Sequence, residues 1–475
     1  MNYSEAHQFL NSFTNLESKL HHIKADAFDL KRVEGLLDAL GRPQEKLHVI
    51  HVAGTKGKGS TSAMVASILR AAGFSVGLYT SPHLYQVNER IRILRPGQRA
   101  TRKDFEGKIS DDDLAKLTEK IKPKIKALGK SKLALSGVPK LLRDEVEGLT
   151  YFEVMTALAF CHFAHEKVDF VVLETGLGGR LDATNVADAM VSVITPISFD
   201  HTALLGNTIR KIAAEKAAII KSSKQRVVIA EQPKEAMDVI LKRCREFSIR
   251  PLRVGKDVAY RILAQNLNGQ KVIMSFPRKR ESSLDPRLRG GDKIEVRTCL
   301  LGTHQAQNAA RAVAVIECLR RLGFEISNRD IQQGIQSTRW PARFEILSRN
   351  PVVLADGAHN VASAKALVKT IQELWPRRKL TLILGVSQDK DIVGICRALN
   401  PIVDSVIAAR SPHPRARAFK EKEIQNYFKG KNTSVAKTAG HALRDALRAA
   451  GSRGVIVVTG SLFVAAHFRR IFLKK

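Results

Sequence analysis

Three things are scarce in this sequence: cysteines, aromatic residues and acidic residues. The 475 residues include five cysteines and 6% aromatics, and 46 Asp and Glu against 78 Lys and Arg leave a net charge of +32. The cysteines are scattered without a CxxC pair, which argues against a disulfide framework or a zinc cluster and fits a reducing compartment. No apolar run approaches the roughly 18 residues of a membrane span, and the start MNYSEAHQFLNSF does not resemble a signal peptide. We therefore expect a cytoplasmic protein without a membrane partner.

The excess of positive charge fits a nucleic-acid partner, a membrane surface or anionic small substrates. The basic residues are dispersed, and no RNP-like, zinc-finger or basic-zipper pattern accompanies them. We therefore expect a solvated basic surface and no specific nucleic-acid recognition. A basic nucleic-acid-binding protein is the weakest of the functional alternatives.

Short apolar segments rich in β-branched residues alternate with segments of helical period along nearly the whole chain. This alternation predicts an α/β fold with a parallel sheet. Between about 258 and 296 the pattern changes to short strands and turns, which predicts a small antiparallel patch. The stretch QSTRWPA (336–342) has the character of a linker. We expect one domain over 1–337 and a smaller, Rossmann-like domain over 338–475.

One segment does not fit this alternation. The stretch PRKRESSLDPRLRGGD (277–292) is rich in cations and contains two prolines and a Gly-Gly pair. It is similar to translated palindromic repeats that are inserted into bacterial coding sequences. We interpret it as an inserted surface loop without a role in the functional site.

A glycine-rich turn, GTKGKGS, lies between an apolar strand predicted at 48–53 and a helix predicted at 60–72. Glycines let backbone N–H groups approach phosphate oxygens, the helix N-terminus adds positive potential, and a lysine can reach the β- and γ-phosphates. The spacing departs from GxxxxGK[ST], because one glycine separates the lysine from the serine. We predict an ATP phosphate loop formed by Gly54, Thr55, Gly57, Lys58, Gly59 and Ser60.

The stretch HVAGTKGKGST resembles the nucleotide loop of the Mur ligase superfamily, and within it that of folylpolyglutamate and dihydrofolate synthases. The resemblance continues in order through TSPHLYQVNERIRI, LTYFEVMTALAF, VVLETGLGGRLDATNV, SFDHTALLGNTIRKIAAEKAAIIK, LLGTHQAQNAARA, RWPARFE, ADGAHN and HPRA. It covers nearly the whole chain, from FDLKRVEGLLDALG to GSLFVAA. It implies a P-loop NTPase-like Mur ligase central domain with a parallel sheet, followed by a Rossmann-like glutamate ligase domain.

Three residues with metal-binding side chains follow predicted strands. Glu174 ends FVVLE, Ser81 lies in TSPH and His201 in FDHT. A carboxylate at the carboxyl end of a buried parallel strand is costly unless it binds something, and oxygen ligands suit Mg²⁺. Taken singly, His201 suits a hydrogen-bonded core histidine and Ser81 a cap. The resemblance implies that all three are ligands, with two Mg²⁺ ions and room for a monovalent cation.

Lys216 lies in AAEKAA, on a helix that would bury its side chain. A buried lysine either pairs with an acid such as Glu215 or tends to lose its charge. The resemblance implies a carbamylated lysine here, which would hold the second Mg²⁺. An unmodified structural lysine is the alternative.

The resemblance assigns further residues to ATP, namely Asn308, Arg343, Asp356 and His359. Arg343 would contact the γ-phosphate and Asp356 the ribose. Taken singly, each is more often a surface or capping residue than a ligand. Ala342 stands where the family has glycine, and a methyl group there would strain the backbone if φ is positive.

For a pteroate or folate substrate, the resemblance implies contacts from two short stretches. These are Thr150, Tyr151, Phe152 and Glu153 in one, and Leu181, Asp182 and Ala183 in the other. The form RLDATN resembles enzymes that add glutamate both to dihydropteroate and to folate. In the absence of a ligand, Phe152 would be a core aromatic and Asp182 an N-cap.

The resemblance therefore implies an ATP-dependent ligase that adds L-glutamate to dihydropteroate, or to the γ-carboxylate of folate, through an acyl phosphate. Lys58, Glu174, His201 and Lys216 would be its catalytic residues. A Mur-type peptidoglycan amino-acid ligase is the main alternative, since it shares the chemistry but lacks the TSPHL…NERIRI and GLGGRLDATN stretches. We expect a monomer whose partners are small molecules only.

Overall fold

The structure, a computed structural model, describes residues 1–16, 28–98, 105–129, 148–276, 293–376 and 378–473. The interpreted insertion 277–292 lies outside these ranges. The described chain forms two compact units. The first comprises residues 1–261, 273–296 and 307–337, and the second 262–272, 297–306 and 338–475. The last boundary between the units thus lies after Ser337. Two short earlier segments, 262–272 and 297–306, also belong to the second unit.

The first unit is built on a seven-stranded sheet. Its strands are β1 (Val49–Ala53), β2 (Val76–Tyr79), β3 (Ile91–Leu94), β4 (Phe170–Glu174), β5 (Ala189–Ile194), β6 (Arg226–Ile229) and β7 (Leu252–Arg253). The order is β3-β2-β4-β1-β5-β6-β7, and all neighbours are parallel except β2 and β3. The predicted parallel α/β fold is confirmed.

Helices flank this sheet because its central strands are apolar on both faces, so that both faces need cover. The helices before the boundary at Ser337 are α1 (Tyr3–Asn11), α2 (Leu30–Ala39), α3 (Lys58–Ala71), α4 (Asp111–Gly129), α5 (Tyr151–His165), α6 (Thr202–Leu205), α7 (Ile209–Ala217), α8 (Lys234–Glu246), α9 (Thr303–Arg320) and α10 (Asn328–Ser337). All five residues of both β1 and β4 are buried. The sheet centre is therefore the rigid support on which the following loops stand.

The predicted antiparallel patch is confirmed as a small three-stranded sheet. It consists of β8 (Ala259–Asn266), β9 (Gly269–Ser275) and β10 (Lys293–Thr298), in the order β10-β9-β8. Burial along β9 alternates residue by residue, which is typical of a sheet with one covered and one solvated face.

The second unit contains a six-stranded sheet. Its strands are β11 (Glu345–Arg349), β12 (Val352–Ala355), β13 (Leu380–Leu384), β14 (Ser405–Ala408), β15 (Asn432–Val435) and β16 (Val455–Thr459). The order is β11-β12-β16-β13-β14-β15, with only β11 antiparallel to its neighbour. The accompanying helices are α11 (Val361–Leu374), α12 (Ile392–Leu399), α13 (Glu421–Tyr427), α14 (Ala439–Ala450) and α15 (Leu462–Leu473). The Rossmann-like prediction is confirmed.

Across the described ranges, every helix is too short or too polar to cross a bilayer.

Candidate active site

The phosphate loop connects the central strand β1 to helix α3. It ends at Gly57, which caps α3 in the left-handed region at φ 82°. The N–H groups of Thr55 and Lys56 donate to the carbonyl of Pro196 at 3.0 and 3.2 Å, and this holds the first half of the loop. The first N–H groups of α3 lack intrahelical acceptors, as at any helix N-terminus. Such groups suit a phosphate.

Lys58 and Glu174 face each other at the mouth of this loop. Lys58 begins α3, and Glu174 ends β4, whose register places it opposite Val52 of β1. The Lys58 Nζ atom lies 4.0 Å from Glu174 Oε1, and the two side chains are 17% and 7% exposed. A buried carboxylate and a less buried ammonium thus meet beside the loop, and these are the groups that a cation and a γ-phosphate need.

Lys216 reaches the same loop from helix α7. Its side chain is 4% exposed, and its Nζ atom donates to the carbonyl of Gly54 at 2.9 Å. Burial, with the nearby charge of Lys58, lowers the pKa of Lys216 to about 7. Among the described residues Lys216 forms no salt bridge with Glu215, which attracts it from a greater distance and pairs with Arg180 at 2.9 Å.

His201 and Ser81 lie in the loops after β5 and β2. His201 caps α6 at φ 48°, and its Nε2 atom is 3.6 Å from Asp200 Oδ1. Thr55 Oγ1 donates to the carbonyl of Ser198 at 3.1 Å, which ties the His201 loop to the phosphate loop. Ser81 follows β2, a direct neighbour of β4. The three predicted ligands therefore follow strands of one sheet edge.

Two buried hydroxyls that sequence reasoning missed lie at this edge. Thr175 follows Glu174, Thr195 follows β5, and among the described residues neither Oγ1 atom has a hydrogen-bond partner. Their backbone N–H groups donate to Val52 and Ala53, just before the phosphate loop. Buried polar atoms are nearly always paired, so orphaned ones indicate a ligand or an ordered water. Hydroxyl and carboxylate oxygens are the kind of donor that a hard cation such as Mg²⁺ prefers, so the chemistry of this edge fits the predicted Mg²⁺. Clusters of three or more His, Cys, Asp or Glu arranged for a metal do not occur in the described ranges.

Asp182 belongs to a buried polar chain that starts on β1. His51 Nε2 lies 2.7 Å from Thr184 Oγ1, which in turn donates to Asp182 Oδ1 at 2.5 Å. The N–H of Leu177 donates to Asp182 Oδ2 at 2.7 Å. Burial raises the pKa of Asp182, and it lowers the pKa of His51 to about 3, so the imidazole is neutral. A polar residue in an otherwise apolar strand was the only signal for His51.

Most side chains of the predicted pteroate stretch at the start of α5 form contacts with other residues of the chain. Thr150 and Glu153 form the capping box of α5, and Glu153 also accepts from Arg32 at 2.9 Å in a buried ion pair. Phe152 packs closely over Gly176, where a Cβ atom would lie 2.6 Å from the ring. Arg90 lies over the Tyr151 ring, 5.5 Å from its centroid. Leu181 and Ala183 flank the buried Asp182 carboxylate; the contact of these residues with a pteroate stays a prediction.

In the second unit, Asp356 organises the chain around Arg343. Its carboxylate accepts from the N–H groups of Phe344 and Ala358, both at 2.8 Å. Ala342 and Phe344 have φ values of 55° and 47°, so Arg343 stands between two left-handed residues. The positive φ at Ala342, which the sequence raised as a source of strain, is thus present. His359 Nδ1 lies 2.9 Å from the carbonyl of Gly357. The contacts of Arg343, Asp356 and His359 with ATP stay predictions.

Asn308 lies on α9 and contacts the phosphate loop. A Cβ atom at Gly57 would overlap with its Oδ1 atom, so the loop tolerates only glycine there. The same Oδ1 atom accepts a hydrogen bond from Arg311, one turn along the helix. Arg311 was not predicted as a site residue; its only signal was a cation within the small apolar residues of NAARA.

Comparisons with known proteins identify the family of the chain. Residues 117–316 match the Mur ligase middle domain, and residues 342–462 match the Mur ligase glutamate ligase domain. The chain is 33% identical over 443 residues to a dihydrofolate synthase/folylpolyglutamate synthase of Bacillus subtilis, covering 93% of this chain and 94% of the relative.

Solved structures are similar over the same length. The folylpolyglutamate synthase of Mycobacterium tuberculosis complexed with ADP superposes with a TM-score of 0.81 at 31% identity, covering 99% of this chain and 98% of that one. An FPGS–AMPPCP–folate complex gives a TM-score of 0.78 at 28% identity and covers all of both chains.

Proposed function

Because the chain belongs to the dihydrofolate synthase/folylpolyglutamate synthase family of Mur ligases and is an ATP-dependent ligase, we propose that it adds L-glutamate to dihydropteroate and to the γ-carboxylate of folates. The observation that carries the proposal is the phosphate loop whose Lys58 faces the buried Glu174. The relatives favour this function over a peptidoglycan ligase and over a nucleic-acid-binding protein.

The proposed reaction has two steps. A carboxylate does not react with an amine at neutral pH, because its oxygen is a poor leaving group. A carboxylate oxygen of the pterin substrate therefore attacks the γ-phosphorus of ATP, and the bond to ADP breaks to leave an acyl phosphate. The amine of L-glutamate then attacks the acyl carbon, the tetrahedral intermediate expels phosphate, and the amine loses a proton as the amide forms.

Several of the predicted site residues would stabilise the charge that develops on the transferred phosphoryl group. Lys58 and the N–H groups of α3 would hold the β- and γ-phosphates, and Arg343 would contact the γ-phosphate. Glu174, Ser81 and His201 would hold Mg²⁺, which when bound supplies a Lewis acid at the phosphate oxygens. Asn308, Asp356 and His359 would position the rest of the nucleotide.

We also propose that Lys216 is carbamylated. A lysine with a pKa near 7 is largely a neutral amine at physiological pH, and only the neutral amine adds to CO₂. Its nitrogen would attack the carbon of CO₂, form the N–C bond and release one proton, which leaves a carbamate anion. This change puts an anion, with oxygen ligands for a second cation, in the place of a buried amine beside the phosphate loop.

The pterin ring would lie near Phe152 and Asp182. Phe152 offers a flat face for stacking, and the Asp182 carboxylate suits the amino and imino donors of a pterin. The chain from His51 through Thr184 fixes one oxygen of that carboxylate. The other oxygen is held by the N–H of Leu177, so the orientation of the carboxylate is set before substrate arrives.

Thr184→Val is expected to weaken both the fold and pterin binding. Valine has nearly the shape of threonine but leaves His51 Nε2 and Asp182 Oδ1 without their shared hydroxyl, at a cost of about 1–3 kcal/mol. The melting temperature should fall, and the KM for the pterin should rise more than the KM for ATP. Thr184→Ser keeps the hydroxyl and is the matched control. Equal changes in both KM values would contradict a role on the pterin side.

Several further properties belong to this proposal. We propose that one chain carries both synthase activities, acts as a monomer in the cytoplasm and uses a monovalent cation beside Mg²⁺. The cysteines of the described ranges are all free thiols, as a reducing compartment favours.

An ADP-release assay tests the proposed function. Purified protein with ATP, Mg²⁺ and L-glutamate is given dihydropteroate, tetrahydrofolate, a nucleotide-linked muramyl peptide or no acceptor. We expect release with both pterins and only background with the other two. Release with the muramyl peptide alone would support the peptidoglycan alternative. Salt-sensitive DNA binding without ADP release would support the nucleic-acid alternative.

A further inference from the structure

Arg311 is a buried cation beside the phosphate loop. It lies on α9 with 2% of its surface exposed. Its Nη2 atom donates to Asn308 Oδ1, and its Nε atom lies 3.4 Å from Thr61 Oγ1 on α3. A Cβ atom at Gly57 would lie 3.1 Å from the same Nη2 atom. The guanidinium therefore packs against both the loop and the first turns of α3.

The charge of Arg311 has no close counter-ion. Within the described chain, both of its hydrogen-bond acceptors are neutral oxygens, and no carboxylate forms a salt bridge with it. Glu231 attracts it from a greater distance, but the Glu231 carboxylate accepts from Tyr260 and Gln307, both at 3.1 Å. Burial lowers the pKa of Arg311 only to about 10, so it stays charged at neutral pH. A buried charge without a partner is costly.

An anion that binds at the phosphate loop would remove this cost. The loop already offers the N–H groups of α3 and the ammonium of Lys58, so a nucleotide phosphate is the anion that this place selects. The bond to Asn308 has a second effect, because it fixes which way the Asn308 amide points. Because Oδ1 faces Arg311, the direction of the Asn308 NH₂ group is set as well.

We propose that Arg311 is a positioning residue of the nucleotide site: it orients the Asn308 amide and supplies a buried positive charge that the phosphates of ATP or ADP neutralise. The proposal rests on the proposed function for the identity of the nucleotide. It predicts that removing the charge costs nucleotide affinity and leaves the stability of the unliganded protein intact.

Two variants of the full chain test this proposal. Arg311→Met keeps much of the length of the side chain without its charge, and Arg311→Lys keeps the charge but not the planar guanidinium with its several N–H donors. Binding of ADP with Mg²⁺ is measured by calorimetry without pterin or glutamate, together with melting temperatures with and without ADP. We expect the Kd for ADP to rise at least about tenfold, or 1.4 kcal/mol, in Arg311→Met and less in Arg311→Lys. The melting temperature of unliganded Arg311→Met should match or exceed that of the parent protein.

Arg320→Met is the matched control on the same helix. Arg320 donates to Ile326 and Asn328, away from the loop, so its replacement should leave the Kd for ADP unchanged. In turnover, Arg311→Met should raise the KM for ATP and leave the KM for the pterin unchanged. A lower melting temperature of unliganded Arg311→Met with unchanged ADP affinity would overturn the proposal and leave Arg311 a structural residue. If Arg311→Met does not fold, unchanged ADP affinity in Arg311→Lys would show that the guanidinium and its bond to Asn308 do not position the nucleotide. A parent protein that binds no ADP would instead contradict the proposed function.

Discussion

Lys58→Ala should lose glutamate-dependent ADP release by about 10³-fold or more, since removal of one preorganised stabilising group costs about 10²–10³-fold and Lys58 carries a full charge. The ammonium lies at the start of α3 and 4.0 Å from Glu174 Oε1, so it joins the phosphate loop to the carboxylate. Glu174→Ala should have a comparable effect, because it removes the carboxylate proposed to hold Mg²⁺. The measurement is steady-state ADP release with saturating L-glutamate and dihydropteroate.

The fold should survive both replacements. Lys58 lies in the first turn of its helix and Glu174 at the end of its strand, so neither side chain fills the core. Both variants should therefore unfold cooperatively on heating. Glu174→Gln keeps the size of the side chain and tests the charge alone, and exposed Lys224→Ala controls for the loss of a lysine elsewhere. Full turnover in a folded Lys58→Ala protein would refute the site.

Replacing Lys216 with methionine should reduce kcat by about 10²–10³-fold, as expected for loss of a group that stabilises developing charge. Methionine fills the space of the buried side chain but cannot form a carbamate. The carbonyl of Gly54 would lose its donor at 2.9 Å, so the phosphate loop would also lose one of its supports. Lys216→Arg keeps a hydrogen-bond donor but cannot form a carbamate, so it should be as inactive as methionine if the carbamate is required.

The carbamate has its own pH dependence and its own label. The pKa of Lys216 is lowered to about 7, so the neutral amine predominates above that pH and is lost below it. An ordinary lysine would be neutral in only about one molecule in 3,000 at pH 7. Incorporation of ¹³CO₂, followed by native mass spectrometry, should therefore increase as the pH rises through 7, and it should be absent from Lys216→Met. The absence of a labelled adduct at Lys216 would contradict the carbamate and support an unmodified structural lysine.

The fold followed closely from local sequence patterns. The strand predicted at 48–53 is Val49–Ala53 in the structure, and the predicted strand FVVLE is Phe170–Glu174. These runs are apolar, rich in β-branched residues and buried on both faces, so the residues of the run are enough to predict a strand. The antiparallel edge strand β3 was not predicted, because IRIL contains Arg92, whose buried guanidinium contacts the Glu106 carbonyl and the Phe105 ring further along the chain.

Only part of the candidate site could be predicted from local sequence patterns. A glycine-rich turn after an apolar strand indicates a phosphate loop by itself, and a glutamate at a strand end indicates a ligand. The role of Arg311 was not predictable, because 250 residues separate it from Thr61. The same holds for His51 and Thr184, which lie 133 residues apart. Thr150 and Glu153 show the reverse case, since a local capping box accounts for polar groups that the resemblance assigns to a substrate.

Sequence alone determined the α/β class, the glycine-rich loop between β1 and α3 and the family, because helical period, turn chemistry and motif order are carried by residues close together in the chain. Tertiary structure alone decided which distant side chains are in contact. Lys216 donates to the carbonyl of Gly54, Arg311 lies beside Gly57 without a salt bridge to any described residue, and His51 is linked to Asp182 through Thr184. The reason is that strand order and helix packing are set by burial summed over the whole chain, so contacts between distant segments have no local signature.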